Sequence, residues 1–361
     1  MSKSGNDTTG DGLTWETAWK TVTKAYTALG STPNVCIFIG EGIWGWNDGW
    51  SNATQSVTRS FVGVGNVEID TYYIVNPYSL TTGKMYTYES TGLVGPISSV
   101  LDYGHRDSDG IPSLYATKTT IDDVEATAGS FYYDTVAKIL YVHTLNESAP
   151  DANVRSQYMG SNFLSTNVSG VQLYAENFKV YRTPTSISSS GGITYLNNVH
   201  LGYIGMSFTN NTTAILRDCS WRSSLKMGVA TQEDLLYGSA AKIIEIDCEG
   251  SYSGGSTYIG SNATTNHDAG ENVIINGEYH HTYGPPIGFI GNGKCWLLGT
   301  YSHDNLATSA NYYSYQLDEA VAYLDCCRSS GSVKDIGPMS EIVHVRDFIG
   351  GATSDASLVA Y

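Results

Sequence analysis

The sequence predicts an all-β parallel solenoid, and a repeated segment in the second half of the chain is the first observation behind this prediction. Short apolar runs end on a polar anchor residue, mostly Asn or Asp. Neighbouring anchors are 21, 20, 29, 29, 23, 26 and 21 residues apart, for Asn177, Asn198, Asp218, Asp247, Asn276, Gly299, Asp325 and Arg346. Such a repeat is typical of one solenoid coil with loops of varying length.

The second observation is the residue that follows each anchor, which is mostly small or apolar, as at Phe178, Val199, Cys219 and Cys248. A solenoid explains this column because equivalent side chains of successive coils stack in the interior about 4.8 Å apart. A β-sandwich is the competing fold. It would need a turn every ~8–12 residues and hairpin signals of the Asn-Gly type, which are scarce in the second half.

The N-terminal third predicts different elements. Residues 18–29 have the pattern of a short amphipathic helix, and residues 35–40 that of a strand. A helix here would cover the open end of the solenoid, where unpaired strand edges invite aggregation. We therefore expect an N-terminal loop and capping helix over residues 1–34 and the first coils over residues 35–99.

A more charged stretch between residues 100 and 155 interrupts the coils. Two aromatic-rich runs, residues 129–134 and 137–143, are joined by a short turn and predict a hairpin. We expect an inserted β-hairpin subdomain over residues 100–155, with the main coils over residues 156–361.

Composition excludes several classes of function. The 361 residues hold 35 Asp and Glu against 19 Lys and Arg, a net charge of -16, so nucleic acid is not an expected partner. No apolar run approaches the ~18 residues of a membrane span, and the N-terminus has no apolar signal core. The six cysteines include no CxxC pair and are predicted to be buried thiols. Cys326 and Cys327 should face opposite sides of a strand.

Several segments resemble a known group. Residues 4–12 (SGNDTTGDG) with residues 18–21 (AWKT) resemble the opening of many right-handed parallel β-helix proteins of the pectate-lyase-like superfamily. Residues 129–144 and the strip 266–285 are similar to segments of phage tail proteins and secreted bacterial β-helix proteins. The resemblance implies a right-handed parallel β-helix that engages bacterial cell-surface glycan, as phage tailspikes do. It also implies a homotrimer and a virion or extracellular location.

Counting from the anchors brings acidic residues into columns on the solenoid surface. Glu249 and Glu278 form one vertical pair, and Asp268 with Asp304 is a second candidate pair. Glycoside hydrolysis needs one protonated acid and one carboxylate that acts as nucleophile or base. Repulsion between stacked glutamates should raise the pKa of one of them. The simpler interpretation is a pair of exposed glutamates that repel mildly across coils.

Histidines offer a second chemistry. A polysaccharide lyase needs a base, for which His267, His280 and His303 are candidates, and a cation that neutralises the uronate, for which Arg222, Lys226 and Lys294 are candidates. The net charge of -16 opposes a polyanionic substrate, so the sequence favours a hydrolase acting on a neutral or weakly charged glycan.

Metal binding is the remaining possibility for the histidines, since imidazole is a common ligand of transition metals. No fixed metal-site spacing appears, so no metal or other cofactor is expected, and Ca²⁺ has no supporting motif.

Aromatic residues support a binding function instead. Tyr252, Tyr279, Tyr283 and Tyr301 are candidates for stacking on the apolar faces of sugars. The sequence thus predicts a tailspike-like β-helix protein that binds surface glycan and hydrolyses it through a carboxylate pair. The alternatives are a non-enzymatic virion structural or adhesin module and a lyase with a His base.

Overall fold

A computed structural model describes residues 1–45, 48–50, 54–70, 72–73, 77–93, 95–158, 163–181, 187–222, 234–254, 260–306, 313–332, 334–337, 343–350 and 358–360. Two parallel sheets form the solenoid, and a mostly antiparallel insertion packs on its side. Neither helix in these ranges is long and apolar enough to cross a membrane.

The N-terminal segment supplies a helix at the first coil, as predicted. The helix begins after Thr21, whose hydroxyl accepts a hydrogen bond from the Lys24 backbone N–H over 3.2 Å. Val22 and Ala25 are buried in the core of the solenoid, so the helix contributes its apolar face to that core. The elements are α1 (Val22–Leu29), β1 (Val35–Trp44) and β2 (Arg59–Asp70).

The insertion contains the predicted hairpin, formed by two strands that pair Ile139 with Asp134 and His143 with Ser130. It extends over residues 72–158 and so takes in part of the segment expected to form first coils, because β2 pairs directly with a strand that begins at Gln172. Its elements are β3 (Tyr72–Tyr73), β4 (Ser79–Leu80), β5 (Tyr88–Ser90), β6 (Ile97–Arg106), β7 (Pro112–Leu114), β8 (Ala116–Thr117), α2 (Ile121–Glu125), β9 (Ser130–Asp134), β10 (Ile139–His143) and β11 (Val154–Tyr158).

The main coils alternate between the two parallel sheets. The strands are β12 (Leu164–Thr166), β13 (Gln172–Tyr181), β14 (Ile187–Ser190), β15 (Ile193–Gly202), β16 (Met206–Thr209), β17 (Thr213–Arg217), β18 (Ser220–Arg222), β19 (Leu236–Ser239), β20 (Lys242–Ile246), β21 (Glu249–Ser251), β22 (Thr264–His267), β23 (Glu271–Ile275), β24 (Glu278–His280), β25 (Ile287–Ile290), β26 (Lys294–Leu298), β27 (Tyr301–His303), β28 (Tyr313–Asp318), β29 (Val321–Asp325), β30 (Arg328–Ser329), β31 (Lys334–Gly337), β32 (Val343–Arg346) and β33 (Leu358–Ala360).

The larger sheet bends, and the two sides of the bend receive separate names. The first arm holds β17, β20, β23, β26, β29 and β32, and the second arm holds β18, β21, β24, β27 and β30. The back sheet holds β12, β14, β16, β19, β22, β25, β28 and β31. Each coil therefore runs from the back sheet through the first arm to the second arm.

One left-handed residue per coil makes the bend. The φ angles are 62° at Asn177, 51° at Asn198, 52° at Asp218, 53° at Asp247, 54° at Asn276, 63° at Gly299, 54° at Cys326 and 51° at Asp347. Asn, Asp and Gly tolerate this conformation best, which is why they mark the repeat in the sequence.

The last two predicted anchors are wrong by one residue. Asp325 and Arg346 pair in register with Leu298, one position before the bend. This register lets the two side chains form an ion pair with each other. It also places Cys327 in the interior and Cys326 outside.

The interior column agrees with the prediction, since Phe178, Val199, Cys219 and Cys248 are all at most 3% exposed. The prediction of buried thiols is confirmed for Cys219, Cys248, Cys295 and Cys327. It is wrong for Cys36 and Cys326, which are exposed.

Candidate functional site

The outer face of the second arm carries stacked carboxylates and imidazoles. In the parallel register Glu249 lies beside Glu278, and His280 lies beside His303. These side chains point outward because strand residues alternate between the two faces. The middle residues of β24 and β27, Tyr279 and Ser302, are buried. We call Glu249, Glu278, His280, His303 and Asp304 the acid–imidazole ladder.

Each glutamate of the ladder bonds the imidazole of the next coil. Glu249 Oε1 lies 3.1 Å from His280 Nε2, and Glu278 Oε1 lies 2.9 Å from His303 Nε2. The two imidazole rings stack with centroids 4.9 Å apart and planes at 17°. The two pairs are therefore copies displaced by one coil, which places the two carboxylates about 5 Å apart.

The second ring nitrogens of the histidines are also engaged. His303 Nδ1 lies 2.9 Å from Asp304 Oδ2, and His280 Nδ1 lies 2.6 Å from His281 Nδ1. The side chains of His280 and His303 are only 14% and 13% exposed, whereas those of Glu249 and Glu278 are 50% and 54% exposed. The imidazoles are thus held in place, and the carboxylates face solvent.

Hydrogen bonds from the imidazoles lower the pKa of two carboxyl groups in the ladder. The hydrogen bond from His280 holds the pKa of Glu249 below its usual value, and the hydrogen bond from His303 does the same for the pKa of Asp304. At Glu249 the hydrogen bond from His280 outweighs burial and the charge of Asp109, which both raise the pKa. Glu249 is therefore ionised near neutral pH, and it is not the glutamate whose pKa the predicted repulsion would raise.

The insertion borders the ladder at its N-terminal end. Arg222, at the end of β18, pairs with Asp107 and Asp109 of the turn between β6 and β7. The charges of Asp109 and Arg222 both act on Glu249, so this turn adjoins the ladder. Because its side chain is 7% exposed and paired with two carboxylates, Arg222 anchors the insertion and is not open for substrate.

The predicted aromatic residues separate into two groups. Tyr301 stacks on His303 with centroids 4.3 Å apart, and Tyr252 stacks on His281 at 4.9 Å. Both border the ladder. Tyr283 is partly exposed at the corner beyond β24, where its backbone N–H donates to the Ser253 carbonyl.

Tyr279 is a correction, because it is fully buried inside the solenoid. Its hydroxyl donates to the carboxylate of Glu245. The alternation of β24 requires this position, since Glu278 and His280 on either side of it face outward.

Asp268 and His267 do not reach the ladder. Asp268 lies at the corner between β22 and β23, where Oδ2 accepts a hydrogen bond of 2.6 Å from the Ser239 hydroxyl. His267 ends β22 in the back sheet, and Asp304 follows β27 at the far end of the second arm. The pair of Asp268 and Asp304 is therefore not formed. Lys294 is exposed on the first arm, and Lys226 lies outside the described residues.

Sequence reasoning missed Glu245, which faces inward from β20. Its carboxylate accepts a 2.8 Å hydrogen bond from the Thr264 hydroxyl as well as the bond from Tyr279. Burial raises the pKa of Glu245 to about 7. The signal that could have revealed it is its position two residues after Ile243, on the inward face of the same strand.

Comparison with known proteins gives the fold. No protein-family model matches the chain, and no curated protein is similar to it in sequence. The complex of XylC with xylose is similar with a TM-score of 0.61 and 8% identity, covering 98% of this chain and 69% of that one. A structure described as a glycoside hydrolase is similar with a TM-score of 0.54 and 9% identity, covering 98% and 96%. Together with the parallel sheets, these likenesses identify the chain as a right-handed parallel β-helix.

Proposed function

We propose that the protein is a glycoside hydrolase whose active site is the acid–imidazole ladder. The observation that carries the proposal is the displacement of Glu249 and Glu278 by one coil. Retaining glycosidases place their two carboxyl groups about 5–5.5 Å apart, whereas inverting enzymes leave about 6.5–9.5 Å for a water molecule. The spacing of one coil therefore favours a retaining enzyme.

The hydrogen bonds assign the two roles. Glu249 is the nucleophile, because the bond from His280 keeps its carboxylate ionised. Glu278 is the acid and base, and His303 lies 2.9 Å from it with Asp304 behind. Glu278 gives its proton to the leaving oxygen in the first step and takes one from the attacking water in the second, and the contact with His303 holds its carboxyl group in place for both steps.

The charge of the surroundings narrows the substrate class. Glu249, Glu278, Asp304 and Asp109 lie along the ladder. Arg222, the buried cation that the described residues place beside them, already pairs with two carboxylates. A uronate polymer would be repelled, so the substrate is a neutral or weakly charged glycan. The likeness to a xylose complex and to a glycoside hydrolase supports a sugar substrate. Bacterial cell-surface glycan is the source that the sequence resemblance implies.

The test is incubation of the protein with purified capsular polysaccharides and lipopolysaccharide glycans, followed by size-exclusion chromatography. Shortened chains with new reducing ends and no ultraviolet absorbance of unsaturated uronates are expected. Absorbance would instead establish a lyase. Glycan that co-elutes intact with the protein would favour the non-enzymatic adhesin or virion module.

The homotrimer and the virion or extracellular location are a separate part of the proposal, supported only by the sequence resemblance. Static light scattering should give three times the chain mass of 39.0 kDa. A single species of 39.0 kDa would contradict the trimer.

A further inference from the structure

We propose that the acid–imidazole ladder binds one divalent transition-metal ion through His280, His303 and Glu278. One ligand atom from each of these three residues lies within 4.8 Å of the other two. The set is two imidazole nitrogens and one carboxylate oxygen, and a tetrahedral site with three protein ligands leaves its fourth position to water.

The spacing of the donors is close to that of a bound site. Metal–ligand bonds of about 2.0–2.2 Å place two tetrahedral ligands roughly 3.3 Å apart. Glu278 Oε1 and His303 Nε2 are already 2.9 Å apart, and no separation among the three ligand atoms has to close by more than about 1.5 Å. Rotation about the side-chain torsions supplies this change without moving the strands. Glu278 is half exposed, so its carboxylate has room to turn.

The hydrogen bonds behind the imidazoles are the second observation that points to a metal. Histidines that bind metals almost always engage their other ring nitrogen with a carboxylate or another acceptor, which fixes the ring and its tautomer. His303 Nδ1 contacts Asp304 Oδ2 at 2.9 Å, and His280 Nδ1 contacts His281 Nδ1 at 2.6 Å. In both rings Nε2 is the nitrogen that faces the glutamates.

The donor chemistry selects the class of ion. Imidazole nitrogen suits Zn²⁺, Ni²⁺, Co²⁺ and Fe²⁺, whereas Ca²⁺ and Mg²⁺ prefer oxygen ligands alone. Asp304 and Asp109 add negative charge nearby, which favours any cation, so discrimination against Ca²⁺ depends on the two histidines.

Metal binding has a consequence for catalysis that rests on the proposed function. Glu278 cannot serve as the acid while it coordinates an ion. Occupancy of the site should therefore inhibit glycan hydrolysis, and a chelator should restore it.

Isothermal titration of the chelator-treated full chain with ZnCl₂, in the absence of glycan, tests the binding. One Zn²⁺ per chain is expected, with CaCl₂ at least tenfold weaker. His303→Gln and His280→Gln should each weaken Zn²⁺ binding at least tenfold, as should Glu278→Gln. His344→Gln, a ring stacked on the first arm, and Cys326→Ser, at a second group of possible ligands, should bind as the wild type does.

The result that overturns the site is a wild-type protein that binds no Zn²⁺, or ladder variants with unchanged melting curves that bind it as tightly as the wild type does. Because this titration contains no glycan, its failure leaves the hydrolase proposal untouched. Conversely, Zn²⁺ binding that leaves glycan cleavage unchanged would contradict the catalytic role of Glu278 and not the metal site.

Discussion

The two arms of the large sheet use the same coil repeat for different purposes. On the first arm, Trp296 and Tyr323 stack at 6.0 Å and 5°, and Tyr323 and His344 stack at 4.6 Å and 8°. On the second arm, His280 and His303 stack at 4.9 Å and 17°. The stacking geometry is nearly the same in both places, so geometry alone does not make the second arm a site.

The neighbours of each stack make the difference. Below Trp296 the first-arm column continues with Val273, Ile244 and Ile215, so its rings extend an apolar stripe. On the second arm each imidazole nitrogen faces a carboxylate or another imidazole. The β-helix supplies a spacing of about 4.8 Å, and the residues placed on it decide between packing and chemistry.

Removal of a ladder carboxylate should have the largest effect. Glu249→Gln and Glu278→Gln should each lower the rate of glycan cleavage about 10³-fold, or ~4 kcal/mol of transition-state stabilisation. Glu271→Gln on the first arm is the matched control, since Glu271 is also a strand residue but pairs with Lys242. Initial rates of reducing-end release measure the difference. Equal rates for all three variants would contradict the claim that the active site lies on the second arm and not on the first.

Truncation of an arginine should have the next largest effect. Arg222→Ala leaves Asp107, whose side chain is 17% exposed, without its buried partner, and should cost about 3 kcal/mol of unfolding free energy. Arg346→Ala on the first arm removes a pair whose arginine side chain is 53% exposed, against 7% for Arg222, and should cost less. Urea unfolding measures both, and a larger loss for Arg346→Ala would show that the insertion is not anchored through Arg222.

Glu245, a carboxyl group buried inside the first arm, should make stability depend on pH. The folded pKa of Glu245, about 7, exceeds the ordinary value of 4.5, so its contribution is complete below pH 4.5 and is lost as the pH rises through 7. Glu245→Gln removes this loss. The free energy of unfolding of the variant, relative to that of the wild type, should therefore rise by up to roughly 3 kcal/mol from pH 4 to pH 8. Urea unfolding at both pH values tests this, and a gain that does not vary with pH would contradict it.

The smallest predicted effect is on the acid limb of the pH profile of kcat/KM. His280 keeps the pKa of Glu249 below 4.5, so the nucleophile loses its charge only as the pH falls below that value. His280→Gln should move the acid limb of kcat/KM to higher pH, whereas His344→Gln on the first arm should leave it in place. If the acid limb does not move in His280→Gln, the ionisation of Glu249 does not set it, which would contradict the role of Glu249 as nucleophile.

Much of the fold follows from local rules that the sequence displays. The left-handed bend selects Asn and Asp at Asn177, Asn198 and Asp247, which makes the repeat visible. Alternation along each strand then places Glu278 and His280 on the same outer face. The residue at the bend near Asp325 was harder to predict, because nothing in the sequence decides whether Asp325, Cys326 or Cys327 occupies it.

Contacts between distant segments could not be predicted in the same way. Arg222 and Asp107 are 115 residues apart, and no periodicity relates the insertion to the coils. Likewise, the spacing from an anchor assigns Asp268 to a coil but not to a corner of that coil. The ladder was predictable because four of its five members lie on strands, whereas the position of the insertion beside it depends on how the insertion docks.

The stereochemistry of cleavage tests the central claim most directly. Proton nuclear magnetic resonance of the first reducing sugar released from a cleaved glycan reports its anomeric configuration before mutarotation. Carboxylates one coil apart predict that the product retains the configuration of the substrate. A product of inverted configuration would contradict the roles of Glu249 and Glu278, as would cleavage that persists unchanged when both are replaced by Gln.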